Sequence, residues 1–201
     1  MMSSNIASTA IIYPNVKLGK DVIVEDYCII GLPFKGIKNE QTVIGDGSII
    51  RSGTYIYAGN NIGRCFQTGN KANIRELNKI GDNVSVGTLS VIEHNVIIGD
   101  NVRIHTQAFI PEYTVLEDDC WLGPNVVLTN VSYPKHPTVQ SNFKGVIVSK
   151  NAKVGANVTL LPGVKVGENS LVGAGSTVIN DVDNGVIVAG SPAKVLRDID
   201  Y

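Results

Sequence analysis

An aliphatic residue recurs at every sixth position along most of this 201-residue chain. The recurring positions form three runs: Ile6, Ile12, Leu18, Val24, Ile30; then Ile44, Ile50, Ile56, Ile62, Thr68, Ile74, Ile80, Val86, Ile92, Ile98, Ile104, Ile110, Leu116, Leu122, Leu128; then Val148, Val154, Leu160, Val166, Val172, Val178. All but one of these anchor residues are Ile, Leu or Val. A period of six fits neither an α-helix nor a simple alternating strand, but it fits a prism whose coils contain three short strands joined by tight turns.

Each anchor is therefore predicted to point into the core of a β-solenoid. Glycine follows the anchor in twelve of the hexads, as in Gly81, Gly87 and Gly99. We expect these glycines to allow turns that a Cβ atom would strain. About eight and a half coils, stacked at ~4.8 Å per coil, predict a column on the order of 40 Å long.

The period is interrupted twice, which predicts loops at residues 31–43 and 129–147. Because one coil takes three hexads, Ile30 and Leu128 fall on the same face, so both loops should leave from one side and build a binding surface there. We expect residues 1–182 to form the solenoid. Residues 183–201 should form a tail with a short helix that begins near Pro192.

Charge and composition exclude several classes of protein. The chain has 17 Lys and Arg against 18 Asp and Glu, without a long run of either sign, so it lacks the electrostatic signature of nucleic-acid or membrane-surface binding. No segment has the length of a membrane span or the pattern of a secretory leader, which predicts a cytoplasmic protein. Cys28, Cys65 and Cys120 are far apart, so we interpret them as ordinary thiols rather than metal ligands.

The register places all three histidines, His94, His105 and His136, outside the core. Residues one or two coils away from His94 form a polar column with it: Glu76, Glu112 and Asn130. Glu93 and Asn95 flank His94 in the chain. A carboxylate beside an imidazole fixes its tautomer and raises its basicity, so His94 is a candidate general base. A solvated polar edge is the alternative interpretation of the same column.

The segment Ser90–Asp100, SVIEHNVIIGD, resembles the catalytic strand of hexapeptide-repeat N-acetyltransferases that act on nucleotide-linked amino sugars. The hexad pattern is similar to the left-handed parallel β-helix of that family, and the segment 103–130 and the string Gly190–Lys194, GSPAK, also resemble it. The resemblance implies acetyl transfer from acetyl-CoA to the amine of a dTDP- or UDP-linked amino-deoxysugar, with His94 as the base and Glu93 beside it. It also implies a homotrimer and no metal.

The resemblance further implies two groups of binding residues. The substrate-binding candidates are Glu112, His105, Asn130 and Asn95, and the candidates for contact with coenzyme A are Gly155, Gly173, Ala174, Lys194 and Arg197. This chain departs from the family at Asn95, because better-known relatives have Glu directly after the histidine. Glu93 or Glu112 must then orient the imidazole.

Three other functions were considered. His136-Pro137 is similar to the loop His-Pro of maltose- and galactoside-type O-acetyltransferases, which makes His136 the rival base for transfer to a hydroxyl group. The spacing of the three histidines does not fit the zinc site of γ-type carbonic anhydrases. A purely structural β-helix would not require the loops, the polar column or the GSPAK string.

Overall fold

In a computed structural model, which describes residues 5–36, 40–135, 137 and 143–200, the chain winds into a left-handed parallel β-helix with three faces. Within these residues, sheet A contains β1 (Asn5–Ile6), β4 (Ile23–Val24), β7 (Ile49–Ile50), β10 (Gln67–Thr68), β13 (Ser85–Val86), β16 (Arg103–Ile104), β19 (Trp121–Leu122), β22 (Lys153–Val154), β25 (Leu171–Val172), β27 (Val186–Gly190) and β28 (Ala193–Asp198). Sheet B contains β2 (Ile11–Ile12), β5 (Ile29–Leu32), β8 (Tyr55–Tyr57), β11 (Asn73–Ile74), β14 (Val91–Ile92), β17 (Phe109–Ile110), β20 (Val127–Leu128), β23 (Thr159–Leu160) and β26 (Thr177–Val178). Sheet C contains β3 (Val16–Leu18), β6 (Thr42–Ile44), β9 (Asn61–Ile62), β12 (Lys79–Ile80), β15 (Ile97–Ile98), β18 (Val115–Leu116), β21 (Ile147–Val148) and β24 (Lys165–Val166).

Successive coils pair in parallel with the register that the hexad period predicts. Val91 pairs with Phe109, and Lys79 pairs with Ile97. The anchors from Val24 onward are buried in one continuous core, whereas Ile6 is 44% exposed because the first coil has a neighbour on only one side. The solenoid predicted from the sequence is therefore confirmed. Within the described residues no helix is present, and hence none that is long and apolar enough to cross a membrane.

The glycines after the anchors are needed for a different reason from the one predicted. A Cβ atom at Gly123 would lie 2.7 Å from the backbone nitrogen of Ala156, and one at Gly155 would lie 2.6 Å from that of Ala174. These glycines therefore let adjacent coils approach closely. The left-handed backbone conformation falls two residues later in the turn, for example at Asn95 with φ of 56° and at Gly175 with φ of 71°; Gly31, with φ of 78°, is an exception that fits the predicted reason.

The tail does not contain the short helix that Pro192 predicts. Instead β27 adds to β25 in parallel, the chain turns at Ser191-Pro192, and β28 pairs antiparallel with β27. The edge of sheet A offers unpaired backbone N–H and C=O groups, which a strand pairs at once, whereas a helix of one or two turns is marginal in water. The valines of β27 also favour a strand.

Both long connections leave from the same edge of the prism. We call the turns from sheet B to sheet C the B–C corner and the turns from sheet A to sheet B the A–B corner. The first connection runs from β5 to β6 and the second from β20 to β21, so both begin at the B–C corner. This confirms that the two insertions share a face. It also places them beside the turn that follows β14.

Candidate functional site

The B–C corner carries the polar column that the register predicts. Glu76, His94, Glu112 and Asn130 follow β11, β14, β17 and β20, which are consecutive strands of sheet B. Glu76 and Asn130 are buried, with exposed fractions of 4% and 8%. The solenoid thus stacks one carboxylate above His94 and one below it, at the corner from which both loops leave.

The imidazole of His94 faces two carboxylates through one nitrogen. Its Nδ1 atom lies 3.8 Å from Oε1 of Glu112 and 4.0 Å from Oε2 of Glu93. Nδ1 is buried and makes no hydrogen bond to any described residue, although 32% of the side chain is exposed. The exposed part of the side chain therefore lies away from Nδ1. The ring of Tyr113 borders the imidazole, with centroids 6.3 Å apart.

Arg75 is a site residue that the sequence reasoning missed. Its Nε and Nη2 atoms donate to the two carboxylate oxygens of Glu76 at 2.9 and 3.1 Å, and its Nη1 lies 3.4 Å from Oε2 of Glu93. Its guanidinium carbon lies 4.5 Å from the ring centroid of Phe34, in the first loop, and 5.1 Å from that of Tyr57. Arg75 therefore connects the first loop to the carboxylates of the polar column.

The pKa of the Glu93 carboxyl is set by its burial and by the charges of Arg75 and Glu112. Burial raises the pKa of the Glu93 carboxyl above its ordinary value, opposed by the positive charge of Arg75 and assisted by the negative charge of Glu112. The negative charges that surround His94 are thus partly offset by Arg75.

Asn130 and Asn95, two of the substrate-binding candidates, both make hydrogen bonds within the corner. Asn130 Nδ2 donates to Oε2 of Glu112 at 2.7 Å, and the Asn130 carbonyl oxygen accepts from the backbone N–H of Lys144 at 2.9 Å, which joins the two ends of the second loop. Asn95 adopts the left-handed turn conformation, which asparagine tolerates better than most residues, and its backbone N–H donates to the Glu76 carbonyl oxygen.

The same corner contains a group of potential metal ligands. One ligand atom each from Glu93, His94 and Glu112 lies within 4.8 Å of the others. Among the described residues, this is the group of three potential metal ligands that lie this close together. A cation held there would bind Nδ1 of His94, the ring nitrogen that faces the two carboxylates. The absence of a metal remains a prediction from the sequence.

A second feature, on the outer face of sheet A and reaching the A–B corner, gathers several of the predicted coenzyme contacts. A groove of about 460 Å³ is lined by Gly155 and Ala174 together with Asp119, Trp121, Lys153, Leu171 and Val172. Gly173 lies between two lining residues. Trp121 and Leu171 were missed in the sequence, although the register places both in one outward column of sheet A.

Lys194 and Arg197 lie on β28, beyond the groove. Lys194 pairs with Ala189 across the hairpin, next to the A–B corner. Arg197 forms an ion pair with Asp200 at 2.9 Å. Arg197 pairs with Ile187, which in turn pairs with the groove residue Leu171, so the register places Arg197 in line with the groove and Lys194 nearer to the A–B corner.

His105 is not brought together with His94. It lies at the A–B corner, where its ring packs against Trp121 with centroids 4.7 Å apart and its Nε2 accepts from Arg103 Nε at 3.3 Å. Burial, followed by the charge of Arg103, lowers the pKa of His105 below its ordinary value. The rival base His136 lies outside the described residues.

Comparison with known proteins identifies the repeat. The family model described as "Bacterial transferase hexapeptide (six repeats)" matches residues 79–112 and 145–180. The repeats in these two segments are therefore similar to bacterial transferase hexapeptide repeats, in agreement with the β-helix that they form. The first matched segment includes Glu93 and His94, in the turn after β14, and Glu112, in the turn after β17.

The relatives of the chain include acetyltransferases of two kinds. It is 31% identical over 95 residues to a galactoside O-acetyltransferase of Escherichia coli K12, over 45% of this chain and 47% of that protein. It is 37% identical over 79 residues to a 2,3,4,5-tetrahydropyridine-2,6-dicarboxylate N-acetyltransferase of Clostridium perfringens SM101, over 39% of this chain and 31% of that protein. The chain thus spans less than half the length of these two relatives.

A solved structure supports the fold independently. The maltose O-acetyltransferase of Clostridium difficile 630 superposes with a TM-score of 0.52 at 23% identity, over 59% of this chain and 67% of that chain. At this identity the similarity supports the β-helix and not a particular acceptor.

Proposed function

We propose that the protein is an acetyl-CoA-dependent N-acetyltransferase that acts on the amine of a dTDP- or UDP-linked amino-deoxysugar, with His94 as general base. The observation that carries the proposal is the B–C corner itself. There, a half-buried histidine with carboxylates on both sides lies where two loops leave an otherwise regular solenoid.

The charge of the corner favours an amine acceptor. Glu76, Glu93 and Glu112 bring three carboxylates together, and Arg75 is the cation that contacts two of them. An ammonium group would be attracted to this excess of negative charge, whereas a neutral hydroxyl group would gain little from it. The ammonium group first releases one proton to solvent, and the neutral amine is then the nucleophile.

The proposed reaction is a direct displacement. The amine nitrogen attacks the thioester carbonyl carbon, forming a C–N bond, and the C–S bond breaks to release the coenzyme thiolate. His94 takes the proton from the nitrogen and returns it to the sulfur. No covalent enzyme intermediate is required, so positioning of the two substrates supplies much of the rate.

The groove at the A–B corner supports acetyl-CoA as the donor. Its lining residues Trp121 and Leu171 offer apolar contact to a pantetheine arm, and Lys194 and Arg197 lie on the hairpin that extends the same sheet beyond Leu171, as candidates to bind a phosphate. Gly155 and Ala174 have no side chain larger than a methyl group, so they leave room for the arm at the A–B corner.

A homotrimer would bring the two corners together. Within one chain the groove lies on sheet A and reaches the A–B corner, whereas His94 lies at the B–C corner, across sheet B. The outward side chains of that sheet include Ile11, Tyr55, Phe109 and Val127, which are exposed apolar residues. Packing of three sheet B faces around one axis would cover them and place His94 of one copy near the groove of the next. Light scattering that gives the mass of a single chain would contradict this arrangement.

The test compares matched acceptors. With acetyl-CoA, dTDP- and UDP-linked amino sugars should release thiol, and their counterparts with a hydroxyl in place of the amine should not. The variant His94→Asn should lower kcat by about 10²- to 10⁴-fold. Glu25→Gln, which removes a carboxylate that pairs with Arg51 away from this corner, should leave kcat unchanged.

The second candidate is O-acetylation, which the similarity to the galactoside O-acetyltransferase favours. Acetylation of only the hydroxyl acceptors would establish it in place of N-acetylation. Loss of activity in His136→Asn, with full activity in His94→Asn, would show that the base is His136.

A further inference from the structure

The position of His94 leaves open which carboxylate orients its ring. Nδ1 is buried without a hydrogen-bond partner, although buried polar atoms are nearly always paired. Glu112 and Glu93 both face it, at 3.8 and 4.0 Å. These separations are longer than a hydrogen bond, as is common for catalytic contacts in sites without substrate.

The two carboxylates differ in what else they contact. The Glu93 oxygen that faces Nδ1 is Oε2, which is also the oxygen that lies 3.4 Å from Arg75 Nη1. Glu112 divides its two oxygens: Oε2 accepts from Asn130 Nδ2 at 2.7 Å, and Oε1 faces Nδ1. Asn130 thus fixes the orientation of Glu112, whereas Arg75 competes with His94 for Glu93.

We infer that Glu112, held by Asn130, is the positioning residue that keeps the proton of neutral His94 on Nδ1. This inference rests on the proposed function for its chemical consequence. A neutral imidazole carries one N–H, so a proton on Nδ1 leaves the lone pair on Nε2. Nε2 is then free to take a proton from the acceptor. The partner comes from the next coil, eighteen residues along the chain, rather than from the residue beside the histidine.

The substitution Glu112→Gln tests the inference because the structure predicts how the amide will be oriented. Asn130 Nδ2 is a donor, so it should keep the amide oxygen of Gln and leave the NH₂ group facing Nδ1. An NH₂ donor favours the ring with its proton on Nε2, which cannot accept from the substrate. The fold should be retained, since the side chain keeps its shape.

The measurement is the ¹⁵N–¹H correlation spectrum of the histidine rings at about pH 8.5, where imidazole is neutral. His94→Asn identifies the His94 signals by their loss. We expect the Nδ1–H tautomer in the wild type and in Glu93→Gln, and the Nε2–H tautomer in Glu112→Gln. In the acetylation assay, Glu112→Gln should lower kcat by about 10²- to 10⁴-fold with a smaller change in KM.

A double substitution tests the part played by Asn130. In Glu112→Gln/Asn130→Ala the amide is free to rotate and present its oxygen to Nδ1–H. The Nδ1–H tautomer and part of kcat should return relative to Glu112→Gln alone. A double variant that keeps the Nε2–H tautomer would overturn the role of Asn130.

The remaining outcomes separate this inference from the proposed function. A switch of tautomer in Glu93→Gln but not in Glu112→Gln would overturn the inference. An absence of acetylation with every acceptor would overturn the proposed function, while the spectra would still decide which carboxylate orients His94.

Discussion

Replacing Arg75 with alanine should destabilise the fold strongly, because it leaves a buried carboxylate without its partner. Glu76 has only 6% of its side chain exposed, and Arg75 donates to both of its oxygens. Removing one member of a buried ion pair typically costs about 3–5 kcal/mol of unfolding free energy. The loss is local to the side chain, since the Arg75 carbonyl oxygen keeps its hydrogen bonds from Asn60 and Asn78.

The aromatic contacts of Arg75 add to this cost. The guanidinium lies over Phe34 and Tyr57, and each cation–π contact contributes roughly 0.5–2 kcal/mol, depending on its exposure. The ion pair and the two aromatic contacts together give an expected loss of about 4–9 kcal/mol, a large fraction of the stability of a typical domain.

Urea unfolding followed by far-ultraviolet circular dichroism would measure this loss. Arg64→Ala is the matched control: Arg64 also donates twice to one carboxylate, that of Asp82, but 71% of its side chain is exposed. Solvent screens such a pair, so the control should change stability little. In Arg75→Leu/Glu76→Leu the buried ion pair is replaced by apolar side chains and Glu76 is no longer stranded, so stability should recover most of the way to the wild type.

Two results would refute this reasoning. Equal destabilisation by Arg75→Ala and Arg64→Ala would mean that burial of the pair does not set its energy. A double leucine variant as unstable as Arg75→Ala would mean that the cost comes from packing and not from the stranded carboxylate.

Two further predictions follow from groups with altered protonation. Because burial raises the pKa of Glu93, the folded state binds more protons than the unfolded state between pH 4.5, the ordinary pKa, and the raised pKa. The free energy of unfolding should therefore fall as pH rises through that window. Urea titrations of Glu93→Gln should lack this fall, and an identical slope in both proteins would contradict the prediction. Burial raises the pKa of Cys120 to about 12, and Cys28 is also buried. A thiol reagent should therefore modify only Cys65 rapidly in the native protein. Rapid modification of all three thiols would show that the core opens easily.

The sequence predicts the path of the backbone in this fold better than its side-chain contacts. A period of six determines which residues point inward and which share a corner, so the stack of Glu76, His94, Glu112 and Asn130 could be predicted from arithmetic alone. The same arithmetic places His105 at another corner, although the family resemblance groups it with the substrate-binding residues.

The hexad register does not predict how far a long side chain extends or which of several partners it contacts. Arg75 stands one position before Glu76, yet it turns along the column to contact both Glu76 and Glu93. The tail was predicted wrongly for a related reason: proline at a helix start is a local signal, whereas the open edge of β25 is a property of the folded sheet.

The coil also determines how this protein tolerates changes in length. An insertion of one hexad between His94 and Glu112 would carry Glu112 to the next corner, and an insertion of a whole coil would separate the two by one additional layer. Whole coils added after β23 would leave the column from Glu76 to Asn130 unchanged. Homologues of different lengths can therefore keep this corner if insertions between Glu76 and Asn130 leave the coil as loops, whereas outside that segment residues can be added as loops or as whole coils without moving the column.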